Sequence, residues 1–249
     1  MPTDSASLFL ALKDSDFLPH YPFCVLDERG ERVFESRRGA SPSVKEAHRE
    51  TLSVRGMRYE FLAYPKDKSR IRALLCMIEA LLVPRDPPPM MHAASAYRGF
   101  LQFLLHEIVA YDKIAMEDVV LGRCVIPSGD AFFSASLIAV ILLIRSGAHI
   151  QHVTCKQSNG YMSLSVTADA ACGGKLSENE PFLFELVRAL SVAQGFWLTV
   201  EQEEGSVSLN LRTVCIPDFA AVMHAPLSAE ATDSLGELLP LYLLKGFLP

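Results

Sequence analysis

PFLFELVRALSVAQGFWLTVEQEEGSVSLNLRT, residues 181–213, holds the pattern from which the architecture follows. It reads as a helix over about 181–194, then two strands, WLTVEQ and SVSLNLRT, joined by a turn at Glu203, Glu204 and Gly205. Upstream, GDAFFSASLIAVILLIRSG (129–147) reads as a helix apolar on most faces, hence buried. HIQHVTCKQ and YMSLSVTAD follow as strands around Ser158-Asn159-Gly160. Asn-Gly between two alternating runs is a strong hairpin signal, because both turn residues need positive φ. The order is helix, strand, strand, loop, helix, strand, strand. It predicts an α/β sandwich, one mixed sheet covered on one side by helices.

Three further segments flank this core. In residues 1–65, FCVLDERGERVFE and TLSVRGMRYEFLAY each read as strand, turn, strand, with a short helix possible over 42–50 between them. This is a small sheet module, core or sensor-like, in which Tyr21, Phe23 and Phe34 are either core or the lining of a ligand pocket. Residues 66–116 read as a helical hairpin. Ile71, Leu74, Leu75, Ile78 and Leu81 have helical spacing, VPRDPPPM breaks the helix, and a second helix runs over about 91–115. Such a hairpin is a common dimerisation element. Residues 117–213 hold the sandwich. Residues 214–249 form a C-terminal extension whose tail, GELLPLYLLKGFLP, packs on the domain or serves as a subunit contact.

Composition excludes several function classes. There are 23 basic against 29 acidic residues and no long basic run, which argues against nucleic acid as a partner. The most apolar run, 132–144, falls short of the roughly 20 residues a membrane helix needs. The N-terminal stretch lacks the pattern of a secretory signal, so a soluble, cytoplasmic protein is expected. Six cysteines without a CxxC pair predict reduced core thiols and no zinc. His149 and His152 lie three apart on a strand, which places them on opposite faces and argues against a shared metal.

The 181–211 stretch resembles the second glycine box of the sensor histidine kinase family, with its Bergerat-type ATP-binding domain. Val187 and Arg188 fall on matching positions, Gln194-Gly195 stands for the usual His-Gly, and Val200-Glu201 for Val-Glu. The resemblance covers roughly 92–212 and implies an α+β fold with a nucleotide site. Its boxes are degenerate here. Pro181 and Leu183 replace the glycines that let the backbone approach phosphates at a helix N-terminus. Pro181 also suits the first turn of an ordinary helix, with Ser177 and Glu180 in capping-box spacing. In DAACG, Asp169 matches the adenine-binding aspartate and Gly173 a retained glycine, although Asp169 equally suits a polar strand end. Leu142 takes the place of the magnesium-binding asparagine, and leucine offers a hard cation no oxygen. The resemblance therefore implies a vestigial site, without ATP or magnesium as cofactors.

FLQFLLHEIVAY, residues 100–111, is similar to the family's phosphoacceptor box, with Phe100, His106 and Glu107 in register. The resemblance implies that His106 carries a phosphoryl group, that Glu107 is its general base, and that the partner is a response regulator. The chemistry needs an exposed, neutral imidazole nitrogen. The alternative is a helix histidine packed among apolar neighbours. Only about 20 residues separate His106 from the next helix near Asp130, less than the family's second long helix occupies.

The expectation is thus a degenerate histidine-kinase-like signalling protein, a homodimer rather than an enzyme, acting by protein–protein contact or histidine phosphotransfer. The alternatives are a small-molecule sensor and an active kinase with divergent boxes.

Overall fold

Turn chemistry builds the first sheet. The computed structural model describes residues 21–36, 42–43, 45–108, 115–116, 122–169, 175–203, 205–217 and 239–249. Strands β1 (Phe23–Leu26), β2 (Arg32–Glu35), β3 (His48–Val54) and β4 (Met57–Ala63) form an antiparallel sheet in the order β2-β1-β4-β3. Arg55 and Gly56 join β3 to β4 with φ of 51° and 85°, the two left-handed residues that a two-residue hairpin demands. Between β1 and β2, Asp27 Oδ1 accepts from the N–H groups of Arg29 (2.9 Å) and Glu31 (2.8 Å). The short helix expected over 42–50 is corrected. His48, Arg49 and Glu50 already pair with Ala63, Leu62 and Phe61, because the ladder to β4 outcompetes a local helix.

Helix α1 (Lys68–Leu82) follows a 3-10 turn at Pro65–Asp67 and buries the five apolar residues expected of it. The second helix is shorter than its apolar pattern suggests. Met90–His92 is strand β5, α2 runs over Ala93–Glu107, and Ala115–Met116 is strand β6. Residues 90–92 are drawn into strand by pairing with Pro127, Ile126 and Val125 of β7 (Cys124–Pro127).

The sandwich follows the expected order. It comprises α3 (Gly129–Arg145), β8 (His149–Ser158), β9 (Tyr161–Asp169), a short α4 (Leu176–Asn179), α5 (Pro181–Gln194), β10 (Trp197–Glu203) and β11 (Ser206–Val214). Asn159 and Gly160 take φ of 52° and 76° at the β8–β9 turn. The mixed sheet has the order β10-β11-β9-β8-β6, with β6 parallel to β8. Helices α3 and α5 pack on each other, and α3 also packs on β8, β9 and β11 of this sheet. Helix α3 is buried on every face, with all residues from Ala131 to Leu143 at 1% exposure or less.

Other described elements cover the far side of the helical layer. The N-terminal sheet and α1 lie on α5, α2 lies on α3, and α6 (Leu239–Leu244) packs on α3 and α1. One contiguous apolar core runs through all of these elements. Strand β12 (Ile216–Pro217) extends the β5–β7 pair. There the expectation of reduced core thiols is corrected: Cys124 and Cys215 form a disulfide, with Cα atoms 6.0 Å apart. Pairing of Pro217 with Cys124 brings the two together across 91 residues of sequence, a proximity no local spacing could reveal.

Candidate functional site

Helix α2 has a dry face and a wet face. Phe100, Phe103, Leu104 and Ile108 are buried, and Phe100 meets Phe133 of α3 at 5.2 Å between ring centroids. Helical geometry turns Arg98, Gln102, Leu105 and His106 outward, all exposed, with Leu105 at 54%. His106 is therefore a surface group one residue from the end of the helix, not a member of the core. Glu107 faces elsewhere. Its Oε2 is ion-paired with Nζ of Lys245, in the 3-10 turn after α6. Tyr242 of α6 lies edge-on to Phe103 at 5.1 Å, and burial together with the Glu107 charge pushes its hydroxyl pKa up. The C-terminal tail thus holds the carboxylate that the kinase resemblance would make the general base.

Asp169 ends β9 and is exposed, with His149 of β8 and Ser206 of β11 as its cross-strand partners. Gly173 lies outside the described residues. Leu142 is deep in α3, at 1% exposure. Asp169 and Leu142 are thus on different surfaces of the sandwich, one solvated and one walled in by side chains.

Pro181 opens α5, where its missing amide costs the helix nothing. The capping box is corrected: Ser177 lies inside α4, and Glu180 makes no side-chain cap. Glu180 Oε1 instead accepts from Arg145 Nε at 2.9 Å. Burial raises the Glu180 pKa, and the Arg145 charge partly offsets it. Arg145 also donates from Nη2 to the Glu35 carbonyl at 2.6 Å, and its guanidinium sits 4.3 Å from the centre of the Phe34 ring. One side chain ties α3, α5 and the N-terminal sheet together.

The next residue of α5 closes that end. Phe182 is 1% exposed, and its ring lies 5.0 Å from Tyr59, 5.6 Å from Phe61, 6.0 Å from Phe34 and 6.1 Å from Phe247. An anion at this helix N-terminus would have to displace rings from both ends of the chain. Tyr21, Phe23 and Phe34 are themselves packed core, with Phe23 stacked between the other two at 5.6 and 5.4 Å. Arg145, Phe182, Lys245 and Phe247 were not among the sequence candidates. Only Arg145 carried a signal, a lone charge ending an apolar helix.

The histidine pair on β8 is also corrected. A bulge between Ile150 and His152 shifts the register, so that His149 faces Asp169 and His152 faces Thr167. Both histidines therefore share the outer face of the sheet. Among the described residues no group of three or more His, Cys, Asp or Glu side chains converges as a metal site.

The chain matches no family model and no curated protein. It is similar in structure to histidine kinases. The Acinetobacter baumannii histidine kinase AdeS matches over 59% of this chain and 76% of its own, at 11% identity and a TM-score of 0.43. Full-length ShkA, solved in complex with AMPPNP, matches over 60% of this chain and only 36% of its own, at 12% identity and a TM-score of 0.46. A histidine kinase from Burkholderia phymatum STM815 matches over 61% and 80%, at 9% identity and a TM-score of 0.41. At these identities the likeness is one of fold alone. No helix among the described residues is long and apolar enough to cross a membrane.

Proposed function

We propose that this protein is a signalling protein of histidine-kinase-like architecture that works by protein–protein contact, with His106 as a phosphotransfer histidine. The observation that carries this reading is the disposition of α2. One face is anchored by Phe100 and Phe103, and the opposite face presents His106 beside an exposed Leu105. An exposed imidazole on an anchored helix is what an incoming phosphoryl donor needs, and an adjacent apolar side chain suits a docking partner. The partner is a response regulator or another signalling protein, the setting is the cytoplasm, and the helical pair of residues 66–116 serves self-association.

Nucleotide plays no part in this reading, and Asp169 with Gly173 is the remnant of a nucleotide site. Phe182 and the rings around it fill the helix end where phosphates would lie, and Leu142 offers no oxygen.

The test is phosphorylation of the purified full chain with phosphoramidate, read by intact mass and by acid lability. One phosphoryl group, absent from His106→Ala, is expected. A full chain that takes up none, or takes it up equally well as His106→Ala, overturns the phosphotransfer role. Calorimetry with ATP and magnesium checks the other half. Saturable binding that is lost on Asp169→Ala would replace this reading with that of an active kinase.

A further inference from the structure

We propose that Lys245 is a positioning residue of the phosphotransfer site: by pairing with Glu107 it holds that carboxylate away from His106 and keeps the histidine a slow phosphoryl acceptor. This rests on the reading of His106 as the phosphotransfer histidine.

Helical geometry sets the two side chains apart from the start. Successive residues of a helix are turned by about 100°, so His106 and Glu107 leave α2 in different directions. His106 lies on the exposed face with Gln102 and Leu105. Glu107 lies one turn beyond Phe103, on the stripe that meets the C-terminal segment. There the partners repeat the spacing. Tyr242 of α6 lies edge-on to Phe103 at 5.1 Å, and three residues later Lys245 pairs through Nζ with Glu107 Oε2. The two contacts make one clasp, an aromatic pair followed a turn later by an ion pair.

This ion pair differs from the usual surface pair, in which two long side chains wander in water. The Lys245 side chain is 14% exposed and that of Glu107 27%. The chain on either side of Lys245 is anchored in the core. Leu244 and Phe247 are fully buried, and Phe247 packs against Phe23 and Phe34 of the N-terminal sheet at 5.6 and 5.3 Å. Gly246 lies so close to Tyr21 that a Cβ there would stand 3.0 Å from the phenol oxygen. The ammonium is therefore offered to Glu107 from a fixed turn rather than from a loose tail.

The consequence is chemical. Phosphoryl uptake begins when the lone pair of the unprotonated His106 ring nitrogen attacks phosphorus. The bond from phosphorus to the leaving group breaks, and its electron pair departs with that group, which is ammonia when phosphoramidate is the donor. The ring is then an imidazolium, with the phosphoryl group on one nitrogen and a proton on the other, and that proton must leave. A free glutamate next along the chain can swing round through its three rotatable bonds and accept it. Held at Lys245, Glu107 points at an ammonium instead, and the proton goes to water. Loss of the tail contact turns His106 into a fast acceptor.

The rate at which the full chain takes up a phosphoryl group from phosphoramidate, followed by intact mass, tests this. Lys245→Met keeps the apolar stem and removes the charge, and it is expected to speed uptake at His106 about tenfold or more. Lys245→Arg restores the ion pair and is expected to return the rate to that of the parent chain. The double variant Lys245→Met/Glu107→Gln is expected to lose the gain, which would not happen if the contact only steadied the tail. A parent chain phosphorylated at His106, with Lys245→Met no faster or slower, overturns the proposal and leaves the role of His106 standing. So does a gain that survives in the double variant, because the carboxylate is then not the group released. If the parent chain and Lys245→Met both take up nothing, or take it up without His106, the phosphotransfer role falls and the proposal falls with it. If Lys245→Met fails to fold, Lys245→Gln, which keeps a polar end, carries the same comparison.

Discussion

The rings of Phe182 and Tyr59 meet edge to face with centroids 5.0 Å apart, joining the first turn of α5 to the N-terminal sheet. The contact helps join the N-terminal sheet to the core of the sandwich. The sheet's inner face is covered together by α1, Phe247 and the N-terminus of α5, which offers a phenylalanine where a nucleotide-binding helix would keep glycine.

Replacing Phe182 with alanine removes a buried ring that touches four others. The expected cost is about 3–5 kcal/mol in urea denaturation, with sheet and sandwich unfolding together. Independent unfolding of the N-terminal sheet would show that the shared core is energetically minor.

Leu142→Asn restores the residue type that the kinase resemblance would place on α3. The site is walled in at 1% exposure, so the amide loses water without gaining a partner. The variant is expected to lose about 3–5 kcal/mol of stability and to gain no magnesium binding by calorimetry.

Thiol reactivity should divide sharply. Burial pushes the Cys155 thiol up to about 12 and raises Cys24 as well, whereas Cys76 is exposed. Native alkylation with iodoacetamide followed by peptide mapping is expected to label Cys76 and spare Cys24 and Cys155. Cys124 and Cys215 are expected to react only after reduction and denaturation.

The acid side of the stability curve has an identifiable contributor. Glu50 accepts from Arg72 Nε at 2.6 Å and contacts His48 at 2.7 Å. The Arg72 hydrogen bond lowers the Glu50 pKa from 4.5, burial opposes it, and His48 adds to the lowering. A folded-state pKa below the unfolded one stabilises above the unfolded value, and that contribution is lost as pH falls through the folded value. Glu50→Gln is therefore expected to cost about 0.5 kcal/mol at neutral pH and nothing in acid, by denaturation at both pH values.

Local chemistry determined much of this protein without help from the tertiary structure. Asn159-Gly160 and Arg55-Gly56 mark their hairpins because left-handed backbone is tolerated by few residues. The unbroken apolar run of α3 announces a helix buried on all sides, and the order of elements from α3 to β11 follows from changes of period along the chain. Where α2 begins rests on ladder partners distant in sequence, and that His149 and His152 share a face rests on a bulge between them that only the pairing with β9 reveals. The disulfide, the pairing of Lys245 with Glu107, and the rings around Phe182 likewise join residues far apart in sequence. FLQFLLHEIVAY supplies an apolar helix and a histidine but not the direction in which the histidine looks. Packing of Phe100 and Phe103 against α3 and α6 decides that, because a helix shows its face only to whatever neighbours tertiary structure provides.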